Sequence, residues 1–107
     1  MATQSDIQIR RNRTATITMD VSGVPSWTGL FSRFYLAASV GGNILLDLAA
    51  TPDGGNNRIT ATLSSANIAN LSGTYYYEVI LYKTDLSYLK TVLYGKCKIA
   101  NVIKVMT

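Results

Sequence analysis

Along most of this chain apolar side chains recur at every second position, and clusters of Gly, Pro, Asn, Asp and Ser cut the pattern into short runs. Period two is the repeat of a β-strand, whose successive side chains point to opposite faces. The strongest run spans 71–83. A Gly-containing turn opens it, and β-branched and aromatic residues follow, with Tyr75, Tyr77, Val79 and Leu81 on one parity and Tyr76, Ile80 and Tyr82 on the other. Only Thr74 and Glu78 interrupt it. A strand apolar on both parities is central or covered on both sides, so this run is expected to be the central strand around which the domain is built.

Residues 1–6 are polar and read as a loose start. Ile7 and Ile9 flank Gln8 in a short strand that ends at Arg10, Arg11, Asn12 and Arg13. Residues 14–21 alternate most clearly: Ala15, Ile17, Met19 and Val21 face one way, Thr14, Thr16, Thr18 and Asp20 the other. That predicts a strand with one wet face. Gly23, Pro25 and Ser26 supply turn chemistry. A strand over 31–40 sets Phe34, Leu36 and Ala38 against Arg33, Tyr35 and Ala37, Gly41 and Gly42 signal a hairpin, and 44–50 is the return strand. Residues 51–57, with Pro52 before Asp53 and Gly54, are the strongest loop signal.

A further strand over 58–63 alternates Ile59, Ala61 and Leu63 with Thr60 and Thr62. Residues 64–71 hold the one helical candidate, a turn or two that Ser64 or Ser65 can cap. Beyond the central run, 84–87 turns the chain and 87–94 runs back. Gly95 is expected at a bulge or bend. Residues 96–100 complete the strand, with Cys97 and Ile99 opposite Lys96 and Lys98, and 102–107 is an apolar tail. Seven or eight short strands and one short helical turn predict one all-β domain over 1–107, a two-sheet antiparallel β-sandwich. A five-stranded barrel is the alternative, disfavoured by the strand count.

Composition fits one domain and adds a question about the surface. At 107 residues the chain suits a single core, and 48% hydrophobic residues suffice to fill it. Charged residues make up only 15%, against ~25% in an average globular protein. Thr, Ser, Asn and Gly supply the polarity instead. Two readings follow: a surface partly covered by a partner, or a plain hydroxyl-rich one. The net charge of +4 and pI of about 9.4 favour an acidic neighbour without identifying it.

The single cysteine, Cys97, excludes an internal disulfide. The N-terminus lacks the basic and apolar regions of a signal peptide, and no apolar run approaches the ~20 residues that span a bilayer. The chain is therefore expected to be made and folded in a cytosol, without a membrane partner.

Candidate chemistry is sparse. Histidine is absent, which removes the commonest general base and metal ligand. Cys97 alternates with lysines on its strand and reads as a buried core thiol. Asp6, Asp53 and Asp85 fall in the tail or in turns, and Asp20 and Asp47 on solvent faces. Glu78, midway along the central strand, calls for a partner, and a Lys or Arg on a neighbouring strand is the expected one. No calcium loop, Cys-x-x-Cys pair, phosphate-cradling glycine loop or nucleophile elbow is present. No catalytic residue, cofactor or metal is expected; the chain reads as a non-enzyme.

Seven tyrosines exceed what a core needs, because each buried hydroxyl demands a partner. Some are expected at a contact between proteins, where tyrosine is enriched. The interface candidates are Arg10, Arg11, Arg13, Trp27, Tyr76, Tyr82, Val102 and Val105. The arginines are either a solvated turn or a contact to an acidic protein, with nucleic acid a distant third. The apolar tail can add a strand to a neighbour's sheet edge.

Residues 71–79 resemble the immunoglobulin-like pattern in which Gly-x-Tyr opens the penultimate strand. Gly73 and Tyr75 match its tyrosine corner, and Tyr77 stands where antibody domains place their second cysteine. The chain is also similar to the immunoglobulin-like modules of tailed-bacteriophage virion proteins, such as the N-terminal module of baseplate upper proteins. The matching pieces are 14–21, Thr28-Gly29-Leu30, 64–71, 73–79 and 94–99, with Gly95 before the end of the last strand. At Arg11, Asn12 and Arg13 the chain departs from the Gly-Asp turn frequent in such modules.

The resemblance implies an immunoglobulin-like sandwich acting as a virion structural protein. With no fused receptor-binding part, the expected role is a small capsid auxiliary or decoration subunit, self-association included, with a tail or baseplate adaptor as alternative. A carbohydrate-binding sandwich using an exposed Trp27 and a row of tyrosines is a further alternative.

Overall fold

In the computed structural model, which describes residues 3–10, 14–64, 66–68, 71 and 73–100, eight strands follow one another. They are β1 (Thr3–Gln4), β2 (Ile7–Arg10), β3 (Ala15–Asp20), β4 (Phe31–Ala37), β5 (Ile44–Asp53), β6 (Arg58–Leu63), β7 (Gly73–Tyr82) and β8 (Leu89–Ala100). Their lateral order is β1-β8-β7-β4-β5-β6-β3, with β2 also on β8. β7 lies between β4 and β8, antiparallel to both, as a strand apolar on both parities requires.

The path folds into two layers because β5 serves both. Residues 46–50 and Ile44 pair with β4, and Thr51, Pro52 and Asp53 pair with β6. The strong turn signal at Pro52 is therefore not yet a loop. Pro52 stands opposite Ile59 inside the strand, and the turn follows at 53–57, where Asn56 and Asn57 donate to the carbonyls of Asp53 and Gly54. Proline is tolerated because this end of β5 is a sheet edge that needs no further donor.

The core is built from the inward parity of both sheets. Phe34, Leu36, Tyr77, Val79, Leu81, Leu93, Cys97 and Ile99 come from the larger sheet, and Met19, Ile59, Ala61 and Leu63 from the smaller one. Each fully buried aliphatic or aromatic side chain contributes about 1.5–3 kcal/mol relative to exposure. The Phe34 and Tyr77 rings stack at 5.6 Å and 13°. Ser32 is the one buried polar residue among those described, and its hydroxyl donates to the Ile80 carbonyl at 2.8 Å.

Two register shifts correct the expected alternation. One lies between Leu36 and Ala37, which pair with Leu46 and Ile44 and leave Leu45 as the extra residue on β5; Ala37 keeps its outward parity opposite Tyr76 but is covered, and Ala38 is exposed. The other lies opposite Val79 and Ile80, which pair with Leu93 and Thr91 and leave Val92 as the extra residue. The bulge in β8 is thus at Val92, three residues before the expected glycine. Ser64 is tied to the turn at 66–68 by Asn67, whose amide donates to the Ser64 carbonyl at 3.0 Å and whose Oδ1 accepts from the Ser64 amide at 2.8 Å. No helix forms among the described residues there.

Gly95 has a different use. The chain start, expected to be loose, runs parallel to β8 through β1 and β2, so the sandwich is not wholly antiparallel. Between the two strands the backbone crosses directly over Gly95. A Cβ there would overlap the Ser5 carbonyl oxygen and lie 2.9 Å from its carbon. The crossing is pinned by three hydrogen bonds. Ser5 N–H donates to the Tyr94 carbonyl at 2.9 Å, Lys96 N–H donates to the Asp6 carboxylate at 3.0 Å, and the Tyr77 hydroxyl donates to the Ser5 carbonyl.

Gly95→Ala is expected to cost about 1–3 kcal/mol through backbone overlap, read as a lowered urea midpoint with unchanged slope. Cys97 supplies a pH test. Burial pushes its thiol from the ordinary 9.0 up to about 11, so the folded chain keeps a proton that the unfolded chain loses first. Stability is unaffected below pH 9 and falls between roughly pH 9 and 11, by an amount on the order of 2–3 kcal/mol. Comparing denaturation midpoints of wild type and Cys97→Ala across that window isolates the contribution.

Candidate functional site

The two outer faces of the sandwich differ in chemistry. On the smaller sheet the outward residues are Thr16, Thr18, Thr60 and Thr62 in facing pairs, closed by the exposed Asp20–Arg58 ion pair at 3.0 Å. Such a pair is worth at most about 1 kcal/mol. The larger sheet instead presents aromatic and aliphatic side chains, set by the same alternation that buries the core residues.

Its outward residues stand in cross-strand rows. Phe31, Tyr82 and Leu89 form one end, followed by Ala49, Arg33, Ile80 and Thr91. Asp47, Tyr35, Glu78 and Tyr94 form the next row, and Ile44, Ala37, Tyr76 and Lys96 the one beyond. The exposed large apolar residues among those described are Phe31, Val40, Ile44, Leu45, Leu86, Leu89 and Tyr94. All except Leu45 belong to these rows or to the hairpins that overhang them.

Two concavities cut this face. The larger, about 700 Å³, lies among Tyr35, Tyr76, Glu78, Tyr94 and the 39–42 turn; the smaller, about 310 Å³, lies among Arg33, Ile80, Tyr82, Leu86 and Leu89. The Arg33 guanidinium binds Asp47 Oδ1 at 2.7 Å, and that bond is the first reason its pKa is raised. Burial, and then the Asp47 charge, hold the Tyr35 phenol above its usual range. Glu78 was expected to meet a lysine or arginine. It meets a hydroxyl instead: Thr91 Oγ1 donates to its Oε2, and no cation lies within 4.0 Å of it among the described residues.

The sequence-derived candidates separate on this geometry. Tyr76 and Tyr82 fall on the aromatic face as expected. Tyr77 is core, and Tyr75 is half-buried against the core. Gly73 opens β7 at a φ of 101°. Arg10 closes β2 opposite Ala100, whereas Arg11, Arg13, Val102 and Val105 lie outside the described residues. Trp27 is not an exposed platform. It packs against the core with its indole Nε1 buried and unpartnered among the described residues, close enough to Gly54 that a Cβ there would lie 2.6 Å from its own.

Phe31, Tyr35, Leu89 and Tyr94 were not picked out from the sequence; alternation with Phe34 and Leu36 marks Phe31 and Tyr35 as outward, whereas Leu89 and Tyr94 stand on opposite parities of β8 and face the same way only through the extra residue Val92. Among the described residues no three His, Cys, Asp or Glu side chains gather as metal ligands, and no helix is long and apolar enough to cross a membrane.

No protein-family model matches the chain, and no curated protein matches it by sequence. Solved structures do match. The fibronectin(III)-like modules of CbhA from Clostridium thermocellum are 15% identical over 94% of this chain and 93% of theirs, with a TM-score of 0.52. The extracellular domain of the voltage-gated sodium channel beta4 subunit is 15% identical over 96% of each chain, with a TM-score of 0.51. At that identity the likeness carries the fold alone: the protein is an immunoglobulin-like, fibronectin III-like β-sandwich.

If the aromatic face is not needed for folding, Leu89→Ser and Tyr94→Ser change stability by less than about 0.5 kcal/mol. Leu81→Ala, one parity away, costs about 2–5 kcal/mol. Urea denaturation of the three variants measures the contrast.

Proposed function

We propose that the chain is a non-enzymatic interaction module that docks on protein partners in a larger assembly through the outer face of its larger sheet. One observation carries this reading: on a sandwich whose opposite face is lined with threonine, the exposed apolar residues gather on the rows of Phe31, Tyr35, Tyr76, Tyr82, Leu89 and Tyr94. Contiguous apolar patches of this kind mark interaction surfaces, and tyrosine and phenylalanine are enriched in them while charge is depleted.

The finer reading, a tailed-bacteriophage virion subunit of the capsid-auxiliary kind, rests on the sequence resemblance, with a tail or baseplate adaptor as the alternative within that class. The size of the face agrees with a repetitive setting. Four strands spaced ~4.8 Å apart, each about seven residues at ~3.3 Å, project to roughly 450 Å². A stable interface takes ~800 Å² per partner, so the face alone gives modest affinity, which many copies on a lattice raise by avidity. The net charge of +4 favours approach to an acidic lattice. The beta4 subunit domain, of like fold, forms parallel homodimers that explain cell-cell adhesion, and self-association through the same face is the corresponding option here. The carbohydrate reading loses the exposed tryptophan on which it relied.

Quantitative mass spectrometry of purified particles is expected to find the protein in many fixed copies, and Leu89→Asp to remove it from particles while remaining folded. Detection only in the lysate, with none in particles, overturns the virion reading. Full retention of the Leu89→Asp protein on particles overturns the docking face.

A further inference from the structure

We infer that the larger concavity is a cage for a cationic side chain, a lysine ammonium or arginine guanidinium inserted by the docked protein; this rests on the docking-face reading. Glu78 stands midway along β7 with Tyr35 directly opposite on β4 and Tyr94 directly opposite on β8. Tyr76, two residues along β7, shares the outward face, and all four line the same concavity of about 700 Å³. An exposed carboxylate therefore lines a groove with tyrosines beside it on both neighbouring strands and along its own. Among the described residues these three rings do not stack on one another, the ring pairs being Phe31–Tyr82 and Phe34–Tyr77. The space between them stays open to an incoming group.

The acids elsewhere on the chain show what is unusual here. Asp20 and Asp47 are ion-paired. Asp6, Asp53 and Asp85 accept bonds from Lys96 N–H, Asn56 and Ser87 N–H at turns or the chain start. Glu78 lies on the aromatic face instead, binds the Thr91 hydroxyl through one carboxylate oxygen and has no ion pair among the described residues, so its charge there is hydrogen-bonded but not neutralised.

An aromatic ring presents a negative face, and a cation within ~6 Å of the centroid is attracted to it. Rings that flank a carboxylate add to the same preference. The other charges near the groove leave it available. Arg33 is engaged by Asp47, and Lys96 lines the rim without an ion pair to Glu78 among the described residues. A neutral sugar is the poorer fit. It can bond the hydroxyls of Tyr35, Tyr76 and Tyr94 and the side chains of Gln4 and Ser39 that line the groove, but it brings no positive charge to Glu78. In a chain of net charge +4, such a cage selects one basic side chain on an otherwise acidic partner.

The test uses the full chain labelled with ¹⁵N and three probes: tetramethylammonium, Nα-acetyl-arginine methylamide and the neutral disaccharide cellobiose. The two cations are expected to give saturable amide shifts confined to residues around 35, 76–78, 91 and 94. Glu78→Gln and, separately, Tyr94→Ala are expected to weaken them roughly tenfold, while their urea midpoints stay near wild type. Thr91→Val frees the second carboxylate oxygen and is expected to leave cation binding intact or tighter. The proposal is overturned if the cations give no saturable shifts at the groove, if Glu78→Gln binds them as tightly as wild type, or if cellobiose shifts these amides and the cations do not. Because the probes need no particle, the outcome is independent of whether Leu89→Asp affects docking.

Discussion

The register of β7 between β4 and β8 is the constraint on which the rest depends. Side chains of a strand alternate, so a slip of one residue sends the whole buried set to solvent and the whole outer set to the core. Here Tyr77, Val79 and Leu81 must point inward, because they close against Phe34, Leu36, Ile59 and Leu63. That places Tyr76, Glu78, Ile80 and Tyr82 outward at the same stroke. The core and the aromatic outer face are two outputs of one pairing. The Tyr77 hydroxyl extends the constraint to the chain start, since it donates to the Ser5 carbonyl at the crossing over Gly95.

Much of the fold was legible for this reason. Period-two patterning is written directly into 14–21, 58–63 and 73–82, and the structure buries the predicted parity in each. What was not legible depends on partners far away in sequence. Gly95 looked like a bulge because a glycine inside a strand has few other uses. Its actual neighbour is the backbone of Ser5, 90 residues earlier, and only the assembled sheet reveals that close approach. The same holds for Pro52. Its turn chemistry is real, but beyond Ala50 the side of β5 away from β6 is an edge that needs no further donor. The bulge at Val92 leaves no mark in composition, because a valine can pair or stand unpaired equally well.

The candidate site divides along the same line. Tyr76 and Tyr82 were readable from parity, and Arg33, Tyr35 and Phe31 follow from the same rule once β4 is registered on β7. The partner of Glu78 was not readable. Long-range pairing placed Thr91, Tyr35 and Tyr94 around it, whereas the lysines of β8 fall in other rows, Lys96 opposite Tyr76 and Lys98 opposite Thr74. The shift at Val92 decides this. It brings Thr91 into the outward row beside Ile80, within reach of the carboxylate, and leaves Tyr94 directly opposite it. Trp27 shows the converse error. A lone tryptophan beside a turn suggests an exposed platform, yet the space left by Gly54 lets its ring pack against the body of the domain.

A sandwich has two outer faces, and folding requires neither to be apolar. Threonine on the smaller sheet fulfils the minimum, since its β-branch suits the strand and its hydroxyl stays hydrated. Replacing that solution with tyrosine, phenylalanine, isoleucine and leucine on the larger sheet adds nothing to the buried core and exposes apolar area to water, which is unfavourable for the isolated chain. On the docking proposal the cost is recovered when a second surface covers the face. The low charged fraction of the chain points the same way, because surface lysine and glutamate are what a permanently solvated domain uses to stay soluble. Glu78 then has a role that an apolar residue at its position lacks. A sheet face of aromatic rings accepts many partners indiscriminately, and a carboxylate among them that, unlike Asp47, has no ion pair among the described residues penalises those that cannot neutralise it.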